Sequence, residues 1–310
     1  MLDIIFSIGE KILILFFMIG VGVVLSRKKI ITREGASQIA EVVLLIATPC
    51  IIVSAFTHDL SGVSWKDMLF VAVFAALIHL IGIALSPLLF RKEAESRQKV
   101  LRFCIIYGNV GFMGLPLLES FLGNDGVIYA SIFITVFNIF CWTHGVRLMD
   151  QQNSGKIPLV KCLINPGTIG LVLGLAILLF QIPIPNAANE IIQAFSGLNT
   201  PLAMLCIGVH ISAISPRSVL QDRSMLLVVA IRLLLIPAII MALLSLFTRQ
   251  YPLFAGILLQ SAMPIAANSA LFADRYHGDR PLASQAVALS TLLSILTLPL
   301  LAAVARLICG

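Results

Sequence analysis

Long apolar runs alternate with short polar gaps along the whole chain of 310 residues. Each run is roughly 17 to 25 residues long, which is the length of helix that crosses the hydrocarbon core of a bilayer. The pattern therefore predicts ten transmembrane helices, numbered here one to ten, near residues 5–26, 36–57, 67–90, 100–122, 126–147, 166–182, 190–213, 224–247, 253–273 and 283–308.

Composition agrees with this pattern. Hydrophobic residues make up 59% of the chain and charged residues 12%, whereas a soluble domain carries about 25% charge. The first run is followed by further spans and lacks a small-residue cleavage site, so we interpret it as a true span and not a signal peptide. The expected fold class is an all-α integral membrane protein in contact with the lipid bilayer.

Positive charge is distributed unevenly among the gaps. Most of the 21 lysines and arginines lie in the odd-numbered gaps, beginning with the segment RKKIITR at 27–33 and RKEAESRQKVLR at 91–102. The positive-inside rule places such gaps in the cytoplasm. The sequence thus predicts a multi-pass plasma membrane protein with both termini outside, and it explains the net charge of +6 without a nucleic-acid partner.

Several features recur at an offset of about 152 residues. Thr48-Pro49 in span two corresponds to Thr200-Pro201 in span seven, and His79 in span three corresponds to Arg232 in span eight. Because each half holds an odd number of spans, the second half enters the membrane from the opposite side, as in many secondary transporters. We therefore expect two inverted five-helix repeats, residues 1–152 and 153–310.

Spans four and nine contain residues that interrupt helices. Span four holds GNVGFMGLPLLE at 108–119, and span nine holds QSAMPIAANSA at 260–270. Glycines such as Gly111 allow non-helical backbone, and Pro116 removes a hydrogen-bond donor. Such backbone is tolerated at membrane depth only when it is buried in protein or lines a wet cavity. The sequence predicts a break over 108–116 and a counterpart in span nine, whose half-helix N-termini favour anions.

Three motifs resemble those of the auxin efflux carrier family, the bacterial relatives of the plant PIN carriers, and more distantly the bile-acid/sodium symporters. They are IYGNVGFMGLPLLESFLG at 106–123, LLIATPCIIVSAF at 44–56 and AMPIAANSALFADRY at 262–276. The resemblance covers essentially the whole chain. Plant members have a long fifth loop with regulatory phosphosites, which is short here, so that regulation is not carried over.

The resemblance implies a scaffold of helices 1, 2, 6 and 7 and a mobile transport bundle of helices 3–5 and 8–10, in which the broken helices 4 and 9 cross. It also implies a homodimer and the transport of small organic anions, either auxin-like acids or dicarboxylates such as malate and malonate. Asn109 and Pro116 match the first crossover of the family, and Pro264 and Asn268 match the second.

Several polar residues of the spans can act either as ligands or as structural groups. Arg232, a cation in the membrane, either attracts a substrate carboxylate or pairs with backbone carbonyls or an acid such as Glu41. For His79 we favour a neutral, hydrogen-bonded side chain over a proton carrier. Asn109 and Asn268 are expected to contact substrate as well as cap helix ends. Asn138 in span five is a further candidate, and the Thr-Pro pairs are interpreted as kinks close to the path.

These features predict a secondary transporter of a small organic anion that works by alternating access. The alternatives left open are a sodium- or proton-coupled symporter on the same fold, an intramembrane enzyme, and a receptor or anchor. The chain has no GxxxxGK[ST] loop and no HExxH motif, and its six cysteines show no metal-binding spacing. We therefore expect no catalytic residues, no metal and no cofactor.

Overall fold

The fold is built from α-helices, as the apolar pattern predicts. The computed structural model describes residues 2–57, 63–150, 166–212 and 222–310, and apart from one isolated β-bridge the secondary structure of these residues is helical. Six helical segments of this part of the chain are long and apolar enough to cross a membrane: Arg33–Thr57, Trp65–Leu88, Val110–Met149, Asn186–Val209, Arg223–Phe247 and Arg280–Cys309, of which the third and fourth each comprise two of the helices numbered below. The prediction of an all-α membrane protein is confirmed.

We number the helices in chain order. They are α1 (Leu2–Arg27), α2 (Arg33–Thr57), α3 (Trp65–Leu88), α4 (Glu95–Ile106), α5 (110–122), α6 (124–149), α7 (Pro166–Phe180), α8 (Asn186–Ser196), α9 (Asn199–Ile211), α10 (Arg223–Phe247), α11 (Tyr251–Ser261), α12 (Asn268–Arg275) and α13 (Arg280–Cys309). Only Gly123, with a φ of 61°, separates α5 from α6. Each predicted span falls on one or two of these helices.

The chain divides into two compact units. Unit 1 comprises Met1–Val71, Gly111–Thr135 and Leu163–Ala213. Unit 2 comprises Ala72–Val110, Val136–Cys162 and Ile214–Gly310. The two units therefore share α3, α5 and α6 along the sequence, while α1, α2 and α7–α9 belong to unit 1 and α4 and α10–α13 to unit 2.

In unit 1, α1 packs closely against α9 through glycine. A Cβ atom at Gly22 would lie 2.3 Å from the carbonyl oxygen of Leu205, and one at Gly208 would lie 2.1 Å from that of Ile19. Small residues let two helix backbones approach, which is the usual way in which membrane helices pack without a hydrophobic driving force. The pairing of α1 with α9 thus depends on glycine on both helices.

The two Thr-Pro motifs also lie in unit 1. Thr48 follows a π-helical turn, Val43–Ala47, within α2, and its hydroxyl donates to Asn199 Oδ1 at 3.0 Å. The hydroxyl of Thr200 donates to Glu119 Oε2 at 2.7 Å. The sequence indicated these pairs as kinks close to the path. In the structure both hydroxyls bond to side chains of other helices, which joins α2, α9 and α5.

Thr48→Val is expected to destabilise the protein. Asn199 is only 2% exposed, and loss of the hydroxyl leaves its acceptor oxygen buried without this donor, a change that costs about 1–3 kcal/mol. Thr57→Val is the control, since the Thr57 hydroxyl bonds only to Ser54 O of its own helix. Thermal unfolding of the two variants in detergent checks this, and an equal loss in both would contradict it.

One end of unit 2 is held together by Arg97. Its guanidinium bonds to Asp222 Oδ2 at 2.6 Å, Glu93 Oε2 at 3.0 Å and Asp279 Oδ2 at 3.3 Å. Asp222 and Asp279 are also the N-caps of α10 and α13. The pairs thus connect three stretches that the charge pattern assigns to odd-numbered gaps.

Lys99 reinforces the same end. Its ammonium group donates to the carbonyl oxygens of Met149 at 3.0 Å and Tyr276 at 2.7 Å, which lie at the C-terminal ends of α6 and α12. A cation is favoured at a helix C-terminus because the carbonyls there carry partial negative charge. Together Arg97 and Lys99 bring gaps three, five, seven and nine to one end of unit 2.

The contribution of this network to stability is expected to disappear in acid. Burial alone would raise the pKa of Asp222, but the hydrogen bonds from Arg97 and from the N–H of Met225 outweigh it and lower the pKa below its usual value. A carboxylate with a lowered folded-state pKa stabilises the fold above its unfolded pKa of about 3.9, and this contribution is lost as pH falls through the folded value.

Asp222→Asn tests this point because asparagine keeps the N-cap but removes the charge. We expect the variant to unfold at a lower temperature than the wild type at pH 7, and the difference to close as the pH is lowered below about 4. Thermal unfolding across this pH range measures it. A difference that stays constant with pH would contradict the role of the ion pair.

Candidate functional site

Two non-helical stretches of unit 2 cross each other. Helix α4 ends at Ile106 and α11 ends at Ser261, and residues 107–109 and 262–267 follow without helical structure. The stretches run antiparallel, with a bridge between Gly108 and Ile265. Asn109 N donates to Pro264 O at 2.7 Å, and Ala266 N donates to Tyr107 O at 3.0 Å. Backbone groups that the helix breaks release therefore satisfy one another.

The first break is shorter than the sequence indicates. We predicted a break over 108–116, but the chain resumes at Val110 with a π-helical turn, Val110–Gly114, and an α-helix from Leu115. Gly111 thus lies within helical structure. Pro116 is the second residue of the α-helical part and follows directly on the π-helical turn, where the hydrogen-bond pattern of the helix changes. The glycines and the proline mark where the helix restarts.

The crossing places two asparagines at helix starts. Asn109 immediately precedes α5 and is 5% exposed, and Asn268 is the first residue of α12. Within the described ranges, neither side chain makes a hydrogen bond, so both carboxamides keep their donors and acceptors. The N–H groups of a first helical turn lack intrahelical acceptors and favour negative charge. This arrangement can bind a small anion.

Arg232 lies behind the crossing. It occupies a π-helical turn of α10, Ile231–Leu235, and is 1% exposed. Its Nε donates to Met263 O at 2.9 Å, and Nη1 makes a long contact of 3.5 Å with Ile105 O. Of the two interpretations that the sequence left open, these contacts are those of a cation paired with backbone carbonyls at the ends of α4 and α11.

The guanidinium of Arg232 lies so close to Gly108 that it leaves no room for a side chain at this position. A Cβ atom at Gly108 would lie 1.9 Å from Arg232 Nη2 and 2.7 Å from Cζ. The sequence indicated this glycine only as a source of backbone freedom. The structure shows that it also lets the guanidinium approach the crossing. A Cβ at Gly111, by contrast, would meet no atom within 4 Å.

Two further polar residues support the crossing and were not singled out from the sequence. Ser290 of α13 accepts a hydrogen bond from Ile265 N at 3.0 Å and donates to Val287 O at 2.9 Å. Gln260, in the last turn of α11, is 0% exposed, and neither its amide nitrogen nor its amide oxygen has a partner among the described groups. An amide in an apolar run beside a helix break is the signal that could have identified Gln260.

His79 is a buried neighbour of the crossing. It is 2% exposed, its Nδ1 lies 2.7 Å from Ala75 O of the same helix, and its ring stacks on Phe140 at 5.0 Å. The hydroxyl of Tyr107 bonds to Phe140 O at 2.9 Å and lies 3.1 Å from His144 Nδ1. These are the contacts of the hydrogen-bonded side chain that we favoured.

The predicted residues are thus divided between the two units. Unit 2 contains the crossing residues Asn109, Pro264 and Asn268 together with Arg232 and His79, and it also contains Asn138, which lies in α6 and has an interaction partner. Unit 1 contains the remaining residues, which are Thr48, Pro49, Gly111, Pro116, Thr200 and Pro201.

Comparison with known proteins identifies the family. A family model described as membrane transport protein matches residues 7–158 and 152–302. An uncharacterized transporter of Methanothermobacter thermautotrophicus is 25% identical over 295 residues, which are 94% of this chain and 96% of that protein. Together with the apolar helices, these matches show a membrane transporter. The chain belongs to the membrane transport protein family, the auxin efflux carrier family that its motifs resemble.

Proposed function

We propose that this protein is a secondary transporter that carries a small organic anion across the plasma membrane by alternating access. The carboxylate of the substrate binds where residues 107–109 cross residues 262–267, and it takes the carboxamides of Asn109 and Asn268, which lie at helix starts where partial positive charge favours an anion. Malate, malonate and auxin-like acids are the substrate classes to which the family resemblance points.

The observation that carries this proposal is the pair of asparagines at the crossing. A hydrogen bond to a charged group contributes about 1.5–3 kcal/mol, and both carboxamides are without a hydrogen bond in the described structure. In transporters with broken helices, half-helix N-termini point at the anionic group of the substrate. The positive charge of Arg232 behind the crossing adds to the same potential.

The division into units supports alternating access. Spans one, two, six and seven, the proposed scaffold, fall into unit 1, and spans eight, nine and ten of the proposed transport bundle fall into unit 2. Spans three, four and five each contribute to both units. We propose that the transport bundle moves against the scaffold as one body and that the network of Arg97 and Lys99 keeps its helix ends together during this movement.

The remaining features of the proposal are the inverted repeat, the orientation and the homodimer. Arg97 and Lys99 bring the odd-numbered gaps of unit 2 to one end, as expected if these gaps all lie in the cytoplasm and both termini lie outside. The matched offsets of the two halves favour inverted repeats of residues 1–152 and 153–310. The homodimer rests on the resemblance.

The direction of transport follows from the membrane potential if no ion is coupled. An inside-negative potential favours export of an anion by about 2.3 kcal/mol per charge per 100 mV. Efflux then requires no coupling ion, whereas uptake against this potential requires sodium or protons. We propose efflux or exchange as the basic activity.

Counterflow in proteoliposomes tests the function. Vesicles loaded with unlabelled malate, malonate, succinate, lactate or indole-acetate are diluted into labelled acid, with and without sodium. Entry of label that depends on the protein and on the loaded acid supports an anion carrier. Strict dependence on sodium would favour a symporter instead, and no exchange of any organic acid would contradict the proposed function.

A further inference from the structure

We infer that the guanidinium of Arg232 is a resident cation that takes the place of a coupling cation at the crossing, so that sodium has no site there. The inference rests on the proposed function, because a coupling cation matters only in a carrier. In transporters with discontinuous helices, unwound carbonyls and half-helix C-termini coordinate the transported cation. Arg232 occupies that position between α4 and α11.

The carbonyls at the crossing already accept hydrogen bonds from the protein. Met263 O accepts from Arg232 Nε, and Ile105 O contacts Nη1. Pro264 O accepts from Asn109 N and Tyr107 O accepts from Ala266 N. Gly108 O also accepts a bond, from Val110 N at 2.9 Å. A sodium ion would have to share each of these oxygens with a donor that already occupies one of its two lone pairs.

The positive charge of Arg232 also disfavours a sodium ion at the crossing. Two unit charges about 4 Å apart repel by about 4 kcal/mol at an effective dielectric constant of 20. The ion pairs found in the described part of the chain all involve Arg97, and none involves Arg232. A metal cation at the crossing would therefore meet the full charge of the guanidinium without a paired carboxylate to offset it.

The guanidinium also suits the site by shape. Its planar fork carries five donors and stays charged in proteins, so one group reaches carbonyls of two separate helix ends at the same time. The fit is close, since a Cβ at Gly108 would come within 1.9 Å of Nη2. A glycine at 108 and an arginine at 232 are thus parts of one arrangement, which fixes the geometry at which α4 and α11 end.

The first test uses the wild-type protein and needs no substrate. Its thermal unfolding midpoint in detergent is measured in sodium, potassium and N-methylglucamine chloride at equal ionic strength. We expect the same midpoint, to within about 1 °C, because an ion that binds only the folded protein would raise the midpoint in a concentration-dependent way. Stabilisation by sodium and not by potassium would overturn the inference.

The second test removes the cation and returns it from solution. Arg232→Ala is expected to lower the midpoint by about 5–10 °C, since it leaves the two carbonyls without these donors. Methylguanidinium at millimolar concentration should restore part of this loss, whereas N-methylglucamine should not. Arg249→Ala is the matched control: Arg249 is exposed in the same unit and makes only a 3.5 Å contact with Ile308 O.

These stability measurements test the resident cation independently of whether the protein transports an organic acid. Rescue of Arg232→Ala by methylguanidinium, with no effect on the Arg249→Ala control or the wild type, supports a resident cation even if no acid is exchanged. A variant as stable as the wild type, or one that methylguanidinium leaves unchanged, would overturn it. If Arg232→Ala yields no folded protein, the ion series on the wild type decides, and Arg232→Lys, which keeps a cation, is expected to fold.

Discussion

Gly108→Ala is expected to reduce organic-acid exchange by about a hundredfold and to destabilise unit 2. The new methyl group would lie 1.9 Å from Arg232 Nη2, so the guanidinium or the crossing has to move. Overpacking of a buried site costs about 1–3 kcal/mol, and displacement of the guanidinium also removes its bonds to Met263 O and Ile105 O. A shift of about 1 Å at a site can reduce its rate on the order of a hundredfold.

Gly111→Ala is the matched control for this variant. Both glycines belong to the same predicted helix break and differ by three positions, but a Cβ at Gly111 would meet no atom within 4 Å. We therefore expect Gly111→Ala to unfold at nearly the wild-type temperature and Gly108→Ala to unfold at a clearly lower one. Equal stability of the two variants would show that Gly108 contributes only backbone freedom and that Arg232 does not depend on it.

Arg232 illustrates what can be predicted from the sequence about this site. An arginine in an apolar run can be identified from the sequence alone, because such a cation is costly in a membrane. Its partners could not be identified, because they are the backbone carbonyls of Met263 and Ile105. Every residue carries a carbonyl, so no sequence pattern distinguishes the two that the helix breaks release.

The helix breaks were predictable in position but not in extent. Glycine, asparagine and proline indicated a break in spans four and nine, and the structure has non-helical backbone at 107–109 and 262–267. The end of the first break depends on a π-helical turn, Val110–Gly114. Such turns have no clear sequence signature, and three more occur in the described helices, at Val43–Ala47, Cys141–Gly145 and Ile231–Leu235.

The polar contacts of the Thr-Pro motifs depend on packing. Thr48 and Thr200 were recognised as members of a repeat, but their partners Asn199 and Glu119 come from other helices. A threonine next to a proline more commonly bonds to its own helix, so the local sequence favours the wrong partner. Asn199 directly precedes Thr200, so the two motifs are joined through α9.

Asn109→Ala and Asn268→Ala are each expected to raise the acid concentration for half-maximal exchange by about tenfold or more, because each removes a carboxamide bond to the substrate carboxylate worth about 1.5–3 kcal/mol. Neither side chain makes a hydrogen bond in the described structure, so the fold loses little. Size-exclusion profiles and unfolding temperatures should therefore match those of the wild type, while the concentration dependence of exchange shifts.

A charge substitution at Asn109 tests whether the bound group of the substrate is an anion. Asn109→Asp keeps the size and one oxygen of the side chain but adds a negative charge, so it should reduce exchange further than Asn109→Ala. The exposed Asn124 at the start of α6 provides the control, since Asn124→Ala should leave exchange unchanged. Normal exchange in both Asn109 variants would exclude the crossing as the binding site, and better exchange in Asn109→Asp than in Asn109→Ala would mean that the bound group is not an anion.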